Sequence, residues 1–292
     1  MNAFASASRR APSIVVVGSV NLDLVASVSH LPVPGETVSG ADLKRFPGGK
    51  GANQALAARR LGADVHLVAR VGRDAEADAA LAMLRAEGVD LTHCIVDETL
   101  PTGMAMIAVA AEGENLIVVA PGANRALRPE TLVLPEVDAL MCQLEVPSDT
   151  LSLACERFAG FFCVNLAPAM KVPEVIFERA DLVVVNETEE AFYGDALRRC
   201  RGMTAVTRGS AEASLTKNGQ AIAGARPPRV QAVDTTGAGD TFAAALTVAL
   251  LEMASPQDAL EFACAAGALA TTKAGAQPSM PYRAEVDAFV TD

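Results

Sequence analysis

Residues 234–251 read DTTGAGDTFAAALTVALL, a glycine turn that runs directly into a long apolar segment of helical character. The turn places one carboxylate, Asp240, immediately after Gly-Ala-Gly. Glycine permits the unusual backbone angles of such a turn, and the first turn of a helix presents unpaired N–H groups that attract an anion. Asp240 is therefore either a helix-capping residue or a base that takes a proton beside an anion site, and this stretch alone leaves both open.

The rest of the chain alternates short β-branched runs with segments rich in alanine and leucine. Predicted strands are SIVVVGSV, VHLVARVG, ALMCQLEV, GFFCVNLAP, DLVVVNE and MTAVTRG, and predicted helices include GANQALAARRLG, DAEADAALAMLRAEG, GDTFAAALTVALLEM and SPQDALEFACAAGALATTK. Strands that are apolar along their whole length indicate a sheet covered on both faces. The pattern predicts an α/β fold with a central, mostly parallel sheet flanked by helices on both faces.

Two regions interrupt this alternation. Residues 22–47 contain short alternating pieces and several prolines, and residues 94–120 contain two strand-like runs around the turn EGEN. Both are typical of hairpins, so we expect antiparallel strands outside the main sheet. Their partly apolar composition indicates that they cover a ligand or a partner subunit.

Composition excludes several classes of protein. The chain has 292 residues, 51% of them hydrophobic, and a net charge of −11, which argues against disorder and against broad nucleic-acid or anionic-membrane binding. No apolar run is long enough to span a bilayer, and residues 1–12 have the character of a flexible tail rather than a secretory signal.

Six scattered cysteines without a C-x-x-C pair favour a reducing, cytoplasmic location. The three histidines are far apart and predict neither a zinc site nor a histidine base.

Polar residues follow almost every predicted strand. They are Asn21, Asp23, Glu145, Asn165, Asn186, Glu189 and Thr207. Each one alone is typical of a helix cap or a turn. Ligands of open α/β sheets bind beyond the carboxyl ends of the strands, so together these residues predict a polar cleft along that edge.

A second glycine-rich segment, PGGKGANQALAARR at residues 47–60, favours a ligand in that cleft. Its glycines allow close approach of the backbone, and Lys50 adds a positive charge, although Lys50 is equally typical of a solvated loop. The spacing is not that of a Walker A loop. No G-x-G-x-x-G follows the first strand, which disfavours a nicotinamide oxidoreductase.

The segments GSVNLDLV, PGETV, GGKGANQALAA, EGEN, PGAN, QLEVP, NETEE, VQAVDTTGAGDTFAAAL and KAGAQPSMP, in this order, resemble the ribokinase-like (PfkB-type) sugar kinases. The resemblance covers residues 14–290. It implies one domain over residues 13–292, with a small β-sheet lid built from segments at about 22–47 and 94–120, and a homodimer formed through the lid. It also implies transfer of the γ-phosphoryl group of ATP to the 5-hydroxyl of D-ribose.

The resemblance implies a role for each matching residue. Asp240 would be the catalytic base, beside an anion hole of the N–H groups of Gly237, Ala238 and Gly239. The sugar pocket would use Asn21, Asp23, Gly49, Lys50, Gly51, Ala52, Asn53, Glu145 and Asp240. The ATP side would use Asn186, Glu189, Thr207, Arg208, Gly209, Gly239 and Cys264, with Glu189 helping to hold Mg²⁺ through water. A K⁺ site would be formed by Asp234, Thr236, Ala270, Lys273, Gly275 and Ser279.

Three questions stay open at this level. The substrate could be another sugar, such as deoxyribose, a ketohexose or a sugar acid. A silent sugar or nucleotide sensor would share the fold, although it would have no need for Asp240. The chain is also shorter between Asp195 and Met203 than the family pattern, which affects covering structure near the nucleotide end of the sheet.

Overall fold

The computed structural model describes residues 10–110, 112 and 114–291, so most of the predicted tail lies outside the described residues. The strands are β1 Ser13–Val17, β2 Asn21–Val28, β3 Asp42–Gly48, β4 Asp64–Gly72, β5 Cys94–Asp97, β6 Gly103–Ala110, β7 Asn115–Ala120, β8 Ala139–Gln143, β9 Phe161–Asn165, β10 Leu182–Asn186, β11 Met203–Thr207, β12 Ala213–Lys217 and β13 Gln220–Ala225. The helices are α1 Lys50–Arg60, α2 Ala75–Ala86, α3 Ser148–Arg157, α4 Glu174–Arg179, α5 Glu187–Tyr193, α6 Ala238–Leu251, α7 Pro256–Leu269, α8 Ala276–Ser279 and α9 Arg283–Thr291.

The main sheet has the order β13-β12-β11-β10-β9-β8-β1-β4-β5. All neighbours from β11 to β5 are parallel, and the antiparallel pairs of the described sheet are β11–β12 and β12–β13 at one edge. This confirms the predicted α/β fold with a mostly parallel central sheet. The parallel arrangement brings the carboxyl ends of β1, β8, β9, β10 and β11 to one edge.

Helices cover both faces of this sheet, which explains why its strands are apolar throughout. In β1, Ile14 and Val16 pack into one core with α1, α2, α6 and α7, whereas Val15 and Val17 pack into the other with α3, α4 and α5. All four side chains are fully buried. Full burial contributes roughly 1.5–3 kcal/mol for each such side chain.

A separate small sheet has the order β3-β2-β6-β7. Its two hairpin-like pairs, β2–β3 and β6–β7, are antiparallel as expected, and the two pairs are joined by parallel pairing of β2 with β6, which the sequence did not predict. The two pairs come from distant segments and meet with the same chain direction. Part of the expected second segment also belongs elsewhere, because β5 pairs with Ala69–Gly72 of β4 in the main sheet.

The first predicted strand ends earlier than its sequence indicates. β1 stops at Val17, and the chain passes through Gly18, Ser19 and Val20 into β2 of the small sheet. Asn21 and Asp23 consequently lie on β2, just beyond the carboxyl end of β1, and belong to the small sheet. The small sheet therefore starts at the same edge where the polar residues of the main sheet gather.

The short segment after α5 forms a 3-10 helix, Gly194–Arg199, that leads directly into β11. Cys200 at its end is buried. Within the part of the chain that the structure describes, no helix is both long enough and apolar enough to cross a membrane.

Candidate active site

The amino end of α1 packs tightly against the loop that follows β1. Gly49 precedes the helix with φ of 88°, a left-handed value that favours glycine. A methyl group on Gly51 would lie 2.5 Å from the backbone of Gly18 and Ser19, so this approach requires glycine. The Ala52 N–H donates to the Ser19 carbonyl at 2.8 Å. These contacts fix the first turn of α1 at the strand edge.

The carboxylate of Glu145 occupies this helix start. Its Oε2 accepts a hydrogen bond from the Lys50 N–H at 3.0 Å and another from the Ser19 hydroxyl. The Ser19 oxygen in turn accepts from the Gly51 N–H at 3.3 Å. Because the helix dipole favours an anion at this position, α1 anchors Glu145 two residues beyond the end of β8.

Asp240 lies at the start of α6 with only 6% of its surface exposed. Its Oδ2 accepts from the Asn53 amide at 2.9 Å, and its Oδ1 accepts from the Gln54 amide at 3.1 Å. Burial raises the pKa of Asp240 above its ordinary value. The Lys50 ammonium and the two amide donors lower it, so the pKa reflects both influences.

Asn21 and Asp23 project from β2 near the same carboxylates. Asn124 fixes the start of β2, because its amide accepts from the Val20 N–H at 2.9 Å and donates to the Asn21 Oδ1 at 2.8 Å. The carboxylate of Asp23 packs against Gly48, where any side chain would overlap it. Burial, helped by the negative charges of Glu145 and Asp240, raises the pKa of Asp23 to about 7.

Lys50 is the cation of this cluster. Burial alone would lower the pKa of its ammonium, but the carboxylates of Asp240, Glu145 and Glu189 together raise it. No carboxylate within the described residues lies within ion-pair distance of its Nζ. Lys50 thus stays charged among the three acids without being tied to any one of them.

The glycine turn before α6 has a different character from the start of α1. Gly237 has φ of 81°, in the left-handed region. The Ala238 N–H donates to the Thr235 carbonyl at 3.2 Å, so in this structure it is used by the turn rather than left for an anion. For the exposed Gly239, the structure shows no acceptor for its N–H among the residues it describes, and a Cβ built on it has no neighbour within 4 Å.

The predicted nucleotide residues line the ends of β10 and β11. Asn186 and Glu189 form a capping box at α5, in which each side chain accepts from the backbone N–H of the other, at 2.9 and 2.8 Å. Burial raises the pKa of Glu189. Asn186 is level with Thr207 on the neighbouring strand, and the exposed Gly209 follows in the left-handed region at φ 55°.

Two other predicted nucleotide residues have partners within the protein. Arg208 binds both carboxylate oxygens of Glu190, at 2.9 and 3.2 Å, and donates to the Ser214 hydroxyl at 3.1 Å. Its guanidinium therefore joins α5 to β11 and β12. Cys264 is buried on α7, where its thiol lies 3.7 Å from the Ala225 carbonyl at the end of β13.

Two loops of the predicted cation site are joined by Asp234. Its Oδ1 accepts from the N–H and the hydroxyl of Thr236, at 2.9 and 2.6 Å, and its Oδ2 accepts from the Gly275 N–H at 2.8 Å. This fits a monovalent cation, since the side chain orders both loops and leaves their carbonyl oxygens as ligands. Ser279 is buried and donates to the Ala276 carbonyl, and Ala270 is also buried.

Lys273 fits this site least well. Its ammonium is exposed and lies 3.7 Å from Glu285 of α9. Only its backbone carbonyl could serve as a cation ligand. In the described ranges, no three His, Cys, Asp or Glu side chains are grouped as a ready-made metal site. A Mg²⁺ ion beside Glu189 would consequently take most of its ligands from water and substrate oxygens, which is usual for this ion.

Sequence reasoning missed the residues that support the cluster, namely Ser19, Gln54, Asn124 and Gln143. Ser19 orients Glu145, Asn124 orients Asn21, and Gln54 contacts Asp240 while Gln143 contacts Gln54. All four lie inside quoted segments, namely GSVNLDLV, GGKGANQALAA, PGAN and QLEVP, which was the available signal.

Comparison with known proteins identifies the family. A model of the pfkB family of carbohydrate kinases matches residues 11–283. The curated ribokinases of Haemophilus influenzae and Bacillus subtilis are each 36% identical to this chain, covering 95% and 96% of it and 98% and 99% of their own lengths.

Solved structures agree with this result. The ribokinase of Thermotoga maritima superposes with a TM-score of 0.89 at 36% identity, covering 96% of this chain and 100% of its own. The Arabidopsis thaliana ribokinase in complex with ribose and ATP has a TM-score of 0.86 at 30% identity, covering 97% and 100%. The resemblance noted in the sequence is confirmed, and the chain belongs to the pfkB family of carbohydrate kinases.

Proposed function

We propose that this enzyme transfers the γ-phosphoryl group of ATP to the 5-hydroxyl of D-ribose, giving D-ribose 5-phosphate and ADP. The single observation that carries the reaction is the buried Asp240, held by two amides at the start of α6 beside the exposed Gly239, whose N–H has no acceptor among the described residues. The full-length similarity to ribokinases, one of them solved with ribose and ATP, supports ribose as the acceptor.

Asp240 would act as the base in this reaction. Each of its oxygens already accepts one amide hydrogen bond and keeps lone-pair capacity for the proton of the 5-hydroxyl. The sugar oxygen then forms a bond to the γ-phosphorus while the bond from that phosphorus to the bridging oxygen of ADP breaks. The protein takes little part in the covalent chemistry. Alignment of the two substrates and stabilisation of the developing charge therefore supply most of the rate enhancement.

The sugar would be held between β2 and the start of α1. Asp23 and Glu145 are acceptors for hydroxyl groups, whereas Asn21 and Asn53 can both donate and accept. The Oδ1 of Asn53 is buried and has no partner within the described residues, so it is available to a hydroxyl of the sugar. A pocket of this kind rejects a deoxy analogue, because a buried group would be left unpaired.

The nucleotide would lie along the ends of β10 and β11, with the negative charge of the transferred group facing Gly237 and Gly239. Lys50 stays protonated here, and its ammonium suits the same phosphoryl oxygens. Glu189 would hold Mg²⁺ through water, and the ion when bound neutralises phosphate charge. Asp234, Thr236 and Gly275, with the carbonyls of Ala270, Lys273 and Ser279, would hold K⁺, whose positive charge favours the anion site nearby.

We also propose a homodimer formed through the small sheet, in a cytoplasmic enzyme. β7 exposes four consecutive apolar side chains, Leu116 to Val119, each between 50% and 59% exposed. Successive side chains of a strand alternate between the faces of the sheet, so Leu116 and Val118 expose apolar surface on one face and Ile117 and Val119 on the other, and exposed apolar surface of this kind marks an interaction site. The antiparallel partner strand β6 contributes Met106, which is 49% exposed.

The test is ADP release with ATP, Mg²⁺ and K⁺ across a panel of pentoses, hexoses and nucleosides. We expect release that depends on ribose and falls when K⁺ is replaced by a bulky organic cation. Asp240→Asn should lower kcat at least ~100-fold, the usual loss for a general base. Binding of ribose and ATP to this variant is the control for folding.

Each alternative gives a different result. Activity on another sugar alone would keep the chemistry and change the substrate. Silence across the panel from folded protein that binds ATP would instead identify a sensor. A rate that is level throughout a K⁺ titration would exclude the cation site, and near-normal turnover of Asp240→Asn would remove Asp240 from its role.

A further inference from the structure

A chain of buried amides connects Asp240 to the ends of two strands of the main sheet. The Gln54 Nε2 donates to the Asp240 Oδ1 at 3.1 Å, and the Gln143 Nε2 donates to the Gln54 Oε1 at 2.6 Å. The same Gln54 nitrogen is 3.3 Å from the Asn165 Oδ1, and Asn165 donates to the Val184 carbonyl at 3.1 Å. Gln54 and Gln143 have no exposed surface.

The direction of this chain is determined by chemistry. An ionised carboxylate can only accept, so the nitrogen end of the Gln54 amide must face Asp240. The oxygen end then needs a donor, which Gln143 supplies. Gln143 and Asn165 are the last residues of β8 and β9, so the amide chain connects the base to the rigid parallel sheet.

Burial of these amide side chains lowers stability unless hydrogen bonds or a functional role compensate for it. Three glutamine or asparagine side chains are buried where apolar residues would pack, and the Gln143 Oε1 has no partner within the described residues. Gly18 also gives up its side chain, since a methyl group there would lie 2.1 Å from that same oxygen. Buried polar groups of this kind are usually retained only where they are fully bonded or functional.

The surroundings of Asp240 would otherwise oppose its ionisation. The carboxylates of Glu145, Asp23 and Glu189 lie on the neighbouring segments, and Lys50 is the cation that faces it. Burial and the nearby acids both favour the protonated acid, which cannot serve as a base. A donor that hydrogen-bonds the ionised form counters this effect.

We infer that Gln54 is a positioning residue, which holds Asp240 ionised and oriented through its amide and is itself held by Gln143. This inference rests on the proposed function, because it assigns the residue behind the proposed base. Gln54 has no exposed surface, so we assign it no contact with the substrates. Its role is to keep the base ready over the pH range in which the enzyme works.

The test is the pH profile of kcat for Gln54→Met, which keeps the length of the side chain and removes its hydrogen bonds. We expect the acid limb of the profile to move upward by about one pH unit, so the rate on that limb falls about tenfold. The KM for ribose should change little, because the sugar-facing amide of Asn53 remains. Gln143→Met should shift the limb in the same direction by less, since Gln54 can still donate.

Thr247→Val is the matched control. Thr247 is also fully buried and lies on α6 about two turns from Asp240, but its hydroxyl interacts with the Ala243 carbonyl and the Cys163 thiol and not with the amide chain. We expect this variant to keep the wild-type pH profile. If it shifts the acid limb as Gln54→Met does, the effect is general core disruption and the inference is wrong.

The outcomes separate this inference from the proposed function. If the wild-type enzyme releases ADP with ribose and Gln54→Met has the wild-type acid limb, the positioning role is excluded and the kinase remains. If Gln54→Met does not fold, Gln143→Met decides, and an unchanged limb in that variant also overturns the inference. If the wild-type enzyme is inactive with every sugar, the proposed function itself fails.

Discussion

The two glycine-led helix starts at the site obey the same physics but are used in opposite ways. At α1, the N–H of Lys50 and, through Ser19, that of Gly51 are bonded to Glu145, so the protein supplies its own anion. At α6, the N–H of the exposed Gly239 has no acceptor among the described residues. Both helices present the positive end of their dipole to the same edge of the sheet.

The difference shows that the same kind of helix start can either stabilise the fold or bind a ligand. A filled start is rigid and holds an acceptor in place for a neutral ligand such as a sugar. An open start leaves its binding capacity for an anion that arrives from solution, as a phosphoryl group does. The packing around each glycine shows the same contrast, with backbone contact at Gly51 and no neighbour at Gly239.

The largest expected effect that tests this comparison is a loss of activity at the start of α6. Gly239→Ala should leave stability nearly unchanged, because Gly239 is already part of a helix and its added methyl group has no neighbour. That methyl group would lie where the phosphoryl group approaches, and a displacement of about 1 Å can lower kcat roughly 100-fold. Steady-state kinetics and a thermal melt on the same sample check both parts. Full activity would show that the α6 start is not an anion site.

At the start of α1 we expect a smaller effect, and it concerns stability rather than activity. Gly51→Ala places a methyl group 2.5 Å from the backbone of Gly18 and Ser19, which cannot move cheaply. We expect the free energy of unfolding to fall by about 1–3 kcal/mol, as for other overpacked sites. Denaturant unfolding measures this, with Gly239→Ala as the matched control. Equal stability of the two variants would contradict the contrast between a filled and an open helix start.

The smallest expected effect is a pH dependence at Asp23, which lies beside the filled start. Its pKa is raised from 3.8 to about 7, so between these values the folded state binds a proton that the unfolded state has lost. The contribution of Asp23 to stability is therefore complete below about pH 3.8 and is lost as pH rises toward about 7. Asp23→Asn should flatten this slope in unfolding experiments at several pH values.

The same titration should appear in sugar binding. Ionised Asp23 is the better acceptor for sugar hydroxyls, so the KM for ribose should fall as pH rises through about 7. Asp23→Ala should raise the KM and remove this pH dependence, with a smaller change in kcat. A KM that is unchanged in Asp23→Ala would exclude Asp23 from the sugar pocket.

The sequence predicted the elements whose signals are local. The glycine turn at Gly237, the apolar strands and the alanine-rich helices each follow from a few neighbouring residues, and the structure agrees with them closely. The family motifs also included Asp23, Glu145 and Asp240, whose carboxylates the structure brings close enough to influence one another. The boundary between β1 and β2 was harder to predict. The apolar run is continuous there, so the sequence does not indicate where the chain passes from one sheet to the other.

Local sequence also determined that two helix starts with glycine would exist, one with the features of an anion site and one that allows close approach of a ligand. Only the tertiary structure decided which start is filled, because Glu145 reaches Lys50 across 95 residues and Asn53 reaches Asp240 across 187. The parallel pairing of β2 with β6 and the amide chain through Gln54 and Gln143 are likewise contacts between distant segments. The physical reason is that helix and strand periodicity depends on neighbours along the chain, whereas the charge and burial of a side chain depend on what folding brings beside it.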